Sequence, residues 1–361
     1  VRAGRIRPFE PDDIPQVASL RKRVFRLSAQ RSAAALEAYF ELIFFRNPWR
    51  EMGLPSLVHQ DAGGRVTGFL GVIPRPMRYR SDPLRLAVST QFMVDPEEHG
   101  LAGVWLLEAF MTGSQDLCFA DAANDRSRRL WEGLGGGLAV VHSLRWIIPL
   151  RPLRYAASRL GNHPTARVAR ALTRPLVAAA DAMLGARSRE RYRLDPPAGL
   201  RTRALEPGDI VALLPAMTGR TLLVPVYDAA SARWLLDRVA ERRGPGAVRG
   251  RVASTAEGEP VGWFLYLRFG VVAEVVQVAA SPGRWGDVLR LLLAEAREEG
   301  LSAVGGRLDP AHADEISALG CALASGGPWA LVHSRRPELS LAVLAGKAFL
   351  SRLEAEWWVN F

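Results

Sequence analysis

Two acids and one small-residue turn are the groups in this sequence whose placement could do chemistry. Asp121 follows the apolar run Leu117–Ala120, and Glu274 sits in the apolar stretch Val272–Ala279 with Gln277 beside it. A carboxylate can act as a general base. The same acids have plainer uses: Asp121 could cap the helix expected after it, and Glu274 could pair with an arginine. The turn is His99-Gly100-Leu101-Ala102-Gly103-Val104. A turn entering a helix leaves backbone N–H groups unpaired, and the helix dipole favours an anion there. Gly100, Ala102 and Gly103 would keep side chains off a pyrophosphate, and His99 could touch it or face solvent. The competing use of such residues is close packing in an ordinary strand–helix connection.

The elements that must hold these groups are legible from periodicity. Leu86–Val94 is rich in β-branched and apolar residues and reads as a buried strand, stopped by Asp95-Pro96. Trp105–Met111 reads as an apolar helix and Leu117–Ala120 as a second buried strand. Upstream, Arg5–Phe9 alternates as a strand does. Asp12 or Asp13 is placed to cap a helix with Ile14, Val17, Ala18, Leu20 and Val24 on one face. Leu36–Arg46 continues as a helix with an aromatic face. Ser56–Gln60 and Val66–Pro74 form a hairpin pattern, and Leu138–Leu150 carries runs suited to closing strands.

A more specific signal follows the second strand. Asn124-x-x-Ser127-x-x-Leu130-Trp131-x-x-Leu134-Gly135-Gly136 resembles motif B of the GNAT (Gcn5-related) N-acetyltransferases, Asn-x-x-Ala/Ser-x-x-Leu-Tyr-x-x-Leu-Gly-Phe. The His99–Val104 turn is similar, more loosely, to their motif A, Gln/Arg-x-x-Gly-x-Gly/Ala, with His99 where arginine is usual. The resemblance spans Arg5 to Pro149. It implies an acyl-CoA-dependent transferase fold, with a cleft where two parallel strands, Leu86–Val94 and Leu117–Ala120, splay apart. It implies acetyl-CoA or another acyl-CoA as donor and an amine as acceptor. By this analogy the amides of Gly100, Ala102, Gly103 and Val104 would hold the pyrophosphate. Backbone groups of Phe92 and Val94 would meet the acyl and pantetheine parts. Asn124, Ser127 and Trp131 would border the cofactor arm, and Asp121 would stand at the cleft mouth as base. One departure matters: the family often has a tyrosine that protonates the leaving thiolate, and Trp131 occupies that position. An indole N–H donates a hydrogen bond but is no acid near neutral pH.

The opening pattern recurs about one domain length later. Ile6–Phe9 followed by Glu10-Pro11-Asp12-Asp13-Ile14 is matched by Leu200–Leu205 followed by Glu206-Pro207-Gly208-Asp209-Ile210. Hairpin strands Val248–Ser254 and Pro260–Phe269, the strand Val272–Ala279, a helix Asp287–Glu299, Ser302–Leu308 and Trp329–Ser334 then keep the order of the first half. The expected fold class is α/β with mixed (α+β) sheets: two GNAT-like domains in tandem, 1–150 and 198–361, joined by a basic helical linker, 151–197. Pro282-Gly283-Arg284-Trp285-Gly286 lacks the pyrophosphate pattern and 309–320 lacks motif B. The second domain therefore reads as degenerate for coenzyme A, with Glu274 as an alternative base towards the groove between domains.

Composition bounds the rest. Hydrophobic residues make up 48% of 361, enough for a sizeable core, and no run approaches a membrane-spanning length. Two cysteines, Cys118 and Cys321, do not make a disulfide framework, so a cytoplasmic protein is expected. The net charge of +10 is nearly all arginine, since Lys22 and Lys347 are the only lysines, a bias that fits a GC-rich bacterial genome. Residues 151–193 hold ten arginines against two acids, Asp181 and Glu190. Such basic amphipathic helices can bridge two domains with solvated arginines. They can also meet an anionic partner, such as a membrane surface or an acyl carrier protein. Nucleic acid is the least supported partner, because no base-reading motif or aromatic–basic platform appears.

Overall fold

The computed structural model describes residues 4–25, 31–98, 101–159, 177–187, 189–190, 192, 194–219, 221–241, 247–325 and 328–359. In the first half lie β1 (Arg5–Pro8), β2 (Leu57–Gln60), β3 (Val66–Tyr79), β4 (Asp82–Val94), β5 (Leu117–Ala123), β6 (Gly137–Leu138) and β7 (Arg145–Pro149). In the second lie β8 (Arg201–Ala204), β9 (Leu223–Pro225), β10 (Val248–Ser254), β11 (Pro260–Phe269), β12 (Val272–Ala280), β13 (Ala303–Arg307), β14 (Ala322–Ala324) and β15 (Trp329–His333). The helices used below are α1 (Ile14–Val24), α2 (Ala33–Phe40), α3 (Ala102–Met111), α4 (Asp125–Gly133), α5 (Val140–Ser143), α6 (Pro152–Arg159), α7 (177–187), α8 (Pro207–Met217), α9 (Ala229–Glu241) and α10 (Trp285–Glu298). Among the described residues no helix is long and apolar enough to cross a membrane.

These strands form two mixed sheets, ordered β1-β2-β3-β4-β5-β15-β6 with β9 also on β3, and β14-β7-β13-β12-β11-β10-β8. Each half lends a strand to the other. β7 lies antiparallel on β13, and β15 lies antiparallel on β5. The sequence placed all of Leu138–Leu150 with the first half and Trp329–Ser334 with the second; β7 and β15 cross over. Alternation identifies a strand and its buried face, but β5 and β13 present equivalent edges that local pattern does not distinguish.

The internal repeat reappears as geometry. Arg7 grips both oxygens of Asp13 at 2.6 and 2.7 Å, and Asp13 also accepts the Glu10 N–H. Arg203 grips Asp209 at 2.7 and 2.6 Å, and Asp209 accepts the Glu206 N–H. A planar guanidinium matches a carboxylate's two oxygens, so each pair locks a strand end to the helical turn after it. Pro11 and Pro207 open those turns, where a missing N–H does no harm.

The largest core fills the space between the sheets. It joins Phe40, Phe44 and Phe69 of the first half to Ile210 and Trp263 of the second, and to Leu353 and Trp358 near the end of the chain. A separate cluster packs α3 and α4 on the first sheet through Leu106, Phe110 and Trp131. Because Leu353 is fully buried in the shared core, Leu353→Ala should destabilise the protein by about 2–5 kcal/mol. Urea unfolding followed by fluorescence and by far-UV circular dichroism should show one coincident transition, moved to lower urea. Two separated transitions would contradict a core common to both halves.

Candidate functional site

β4 and β5 pair in parallel only at Leu86–Leu117, Ala87–Cys118 and Val88–Phe119. Beyond Val88 they part. On the other side of β4 the register with β3 slips, with Thr90 opposite Gly71 and Met93 opposite Phe69. Gln91, between them, has φ of 51°, in the left-handed region that a non-glycine residue seldom adopts. A bulge at this point bends β4 and re-aims its backbone. Strained backbone of this kind persists where the surroundings enforce it, often at functional sites.

The split opens a cavity of about 120 Å³ bordered by Thr90, Gln91 and Phe92 on β4, Asn124 and Trp131 around α4, and Glu356. Glu356 comes from the other end of the chain. Its Oε1 accepts the backbone N–H groups of Ala122 at 3.0 Å and Asp121 at 3.3 Å. Its own N–H donates to Asp121 Oδ1 at 3.0 Å. Glu356 thus satisfies backbone donors that parting strands would leave unpaired. Burial, and then the Asp121 charge, push its carboxyl up to about 8, against the opposing pull of Thr90 and the two amides. A cleft carboxyl that titrates near neutral pH suits proton transfer. Sequence reasoning did not single out Glu356. Its one local signal is an acid set among the aromatic and apolar residues near Trp357 and Trp358.

Asp121 does not line this cavity, though its neighbours Ala120 and Ala122 do, and both its oxygens are engaged. Oδ2 pairs with Arg307 Nη1 at 2.6 Å, with both side chains almost wholly buried. Helix α4 is capped by Asn124, whose Oδ1 accepts the Ser127 N–H at 2.9 Å. Glu274 does not line this cavity. It accepts both prongs of Arg145, at 2.9 and 2.6 Å, and Arg352 Nη2 at 2.7 Å. This is the pairing weighed as its plainer use.

Of the expected cofactor residues, Phe92, Asn124, Ser127 and Trp131 line the cavity. Leu101, the N-cap of α3, makes no side-chain hydrogen bond to the helix start, where Ala102, Gly103 and Val104 present their amides. A Cβ on Gly103 would lie 3.4 Å from Val94 Cγ2 and 3.6 Å from the Phe92 ring. The helix start therefore abuts the part of β4 beyond its last pairing with β5. His99 and Gly100 lie outside the described residues. Asn124 is exposed at the rim, Ser127 is half-buried beside it, and Trp131 is buried against Phe110 with ring centres 5.9 Å apart. The Trp131 indole thus fills space below the cavity. Cys118, between the strands, is a core residue whose thiol burial pushes up to about 12.

The second sheet repeats the split with other contents. β12 and β13 pair from Val272–Ala303 to Glu274–Gly305 and then part, with a register slip beside Val276. The Arg352 N–H donates to Val276 O at 3.1 Å. At the start of α10 Asp287 pairs with Arg284 at 2.6 Å, and Trp285 stacks on His312 with centres 4.5 Å apart. A carboxylate already stands in that first turn, where an anion would otherwise be welcome.

No family model matches the sequence, and no curated protein matches it. Solved structures do. A conserved protein of Enterococcus faecalis V583 described as a probable N-acyltransferase matches with a TM-score of 0.58 at 10% identity, over 92% of this chain and 73% of that one. A GCN5-related N-acetyltransferase from Anabaena variabilis ATCC 29413 matches with a TM-score of 0.57 at 12% identity, over 91% and 72%. One from Kribbella flavida matches with 0.54 at 14% identity, over 92% and 71%. The fold is therefore that of GCN5-related N-acetyltransferases, and the likeness extends over both halves rather than the first alone.

The raised Glu356 carboxyl has a consequence for stability. Between its ordinary value of 4.5 and about 8, the folded chain holds a proton that the unfolded chain releases. Its contribution is full below the ordinary value and is lost as pH rises through about 8. Melting temperatures of Glu356→Gln minus those of the wild type should therefore increase steadily from pH 5 to pH 8. Parallel melting curves across that range would show that the carboxyl is not raised.

Proposed function

We propose that the chain is an acyltransferase that moves an acetyl or other acyl group from acyl-CoA to an amine. The observation that supports this is the cavity at the β4–β5 split, which brings a near-neutral carboxyl together with Asn124, while the start of α3 stands against the same part of β4 at Phe92 and Val94. In this reading the pyrophosphate rests on the amides of Ala102, Gly103 and Val104, next to His99 and Gly100 in the chain. The pantetheine arm follows the backbone of Phe92 and Val94 past Asn124, Ser127 and Trp131. The thioester then reaches the bulge at Gln91, where β4 amides can receive the oxyanion.

Acyl transfer needs the amine neutral as it attacks. The ionised Glu356 takes the amine proton as the C–N bond forms and the C–S bond breaks, and the thiolate leaves to be protonated from solvent or from Glu356. We assign Asp121 to orienting Glu356, because Arg307 and the Glu356 N–H already hold its two oxygens. We assign Glu274 to the buried ion pairs and read the second half as unable to hold coenzyme A, given Asp287 and Trp285 at the start of α10. A non-catalytic acyl-CoA-binding role is the reading favoured by Trp131 in place of tyrosine. A carrier-protein donor would instead draw on the basic linker.

Calorimetric titration with acetyl-CoA and longer acyl-CoAs, followed by amine acylation assays, separates these. The wild type should bind at least one thioester, and Gly103→Val should weaken that binding at least about tenfold by filling the contact with Val94 and Phe92. Glu356→Gln should bind as the wild type does but transfer about a hundredfold or more slowly, and wild-type kcat/KM should rise with pH through about 8. Binding without transfer to any amine would leave a binding protein. No binding to any acyl-CoA would sink the proposal.

A further inference from the structure

Helices α6 and α7 and the end of α10 border a half-open cavity of about 820 Å³, and none of its described lining residues borders the β4–β5 cavity. Its walls are of two kinds. Val177, Ala178 and Ala182 offer an apolar strip, and Arg151, Arg154, Arg189 and Arg297 converge on the rest. One acid, Asp181, is among the described lining residues, and its charge is engaged elsewhere. Its Oδ1 accepts the Leu153 N–H at 2.7 Å and its Oδ2 the Arg154 N–H at 3.0 Å, which caps the start of α6.

The four guanidinium groups are poorly compensated. Arg151 and Arg154 reach carbonyls of Arg297 and Gly300 at 3.3 and 3.4 Å, where the negative end of the α10 dipole offsets part of their charge. Among the described residues the one ion pair that any of the four makes is Arg189 with Asp195, at 3.9 Å. Burial, and then the charges of Arg189 and Arg151, hold Arg297 below its ordinary range, with Asp195 and Glu298 opposing. Like charges gathered at a half-buried wall repel one another, and an anion placed among them relieves that repulsion.

We propose that this cavity binds an anionic amphiphile, its phosphate head on the guanidinium groups of Arg151, Arg189 and Arg297 and a short acyl tail along Val177, Ala178 and Ala182. Guanidinium forks match phosphate oxygens in geometry as well as charge. The volume is that of a small-ligand site rather than a flat docking face. The chemistry does not depend on the acyl-transfer reading, since no residue of that site takes part.

Calorimetry of the full chain with dihexanoylphosphatidic acid, below its aggregation threshold, tests the proposal against inorganic phosphate and against vesicle flotation. Saturable binding of the short lipid is expected, at least about tenfold tighter than phosphate. Arg189→Gln and Arg297→Gln should each weaken it about tenfold, and Ala182→Glu should abolish it without lowering the melting temperature. Equal binding of phosphate would show an anion site with no place for a tail and overturn the proposal. So would absence of binding, or binding untouched by all three variants. Flotation on phosphatidylglycerol vesicles with no binding of the short lipid would assign the arginines to a bilayer surface and overturn the cavity site.

Discussion

Parallel strands that part inside a protein leave a row of backbone N–H and C=O groups without their ladder partners, and a buried group left so costs about 1–3 kcal/mol. Here both sheets part, after Val88 in the first and after Glu274 in the second. One segment near the end of the chain answers both. The Arg352 N–H bonds Val276 O in the second split, and four residues later Glu356 receives the Asp121 and Ala122 amides in the first. Between them the Arg307 guanidinium holds the carbonyls of Leu350 and Ser351 while pairing with Asp121. The course of this segment decides what each cleft contains.

That segment brings charges into the core, and each has an answer. Arg352 and Arg145 share Glu274. Glu354, wholly buried, accepts the Tyr227 hydroxyl, Gln277 Nε2 at 3.1 Å and the Ser351 N–H at 2.6 Å. Arg75 donates to Leu353 O at 2.8 Å and lies on the Trp49 ring at 3.9 Å. A buried ion pair yields little net stability, but removing one partner strands the other at a cost of several kcal/mol. A network of this kind therefore fixes one arrangement strongly, which is what a site built from distant parts of a chain requires.

The second half, in this light, supports the first. Its own split is bridged by the Arg352 backbone, yet it contributes Arg307 to Asp121 and β15 to the edge of β5. Glu356, whose carboxyl is raised in the first cleft, comes from the end of the chain and is held by Asp121 and Ala122 of the first half. Exchange of β7 and β15 ties the halves covalently as well as by packing, so movement of one sheet against the other would strain two crossing strands.

Features encoded by neighbouring residues were legible in the sequence. The small-residue start of α3, the burial of Cys118 and the strand–acid–helix repeat at Arg7 and Arg203 follow from short-range rules of backbone conformation and periodicity, whereas the cap of α4 is supplied by Asn124 and not by Asp121. What the tertiary structure alone decided is which edges β7 and β15 join, where the charge of Asp121 and Glu274 goes, and that Glu356 enters the cleft. A strand's pattern specifies its faces but not its neighbour. The pKa of a carboxyl is set by burial and by charges brought near in space, and the partner of Glu356 lies 235 residues away along the chain. No local pattern of types or spacing encodes a contact of that range.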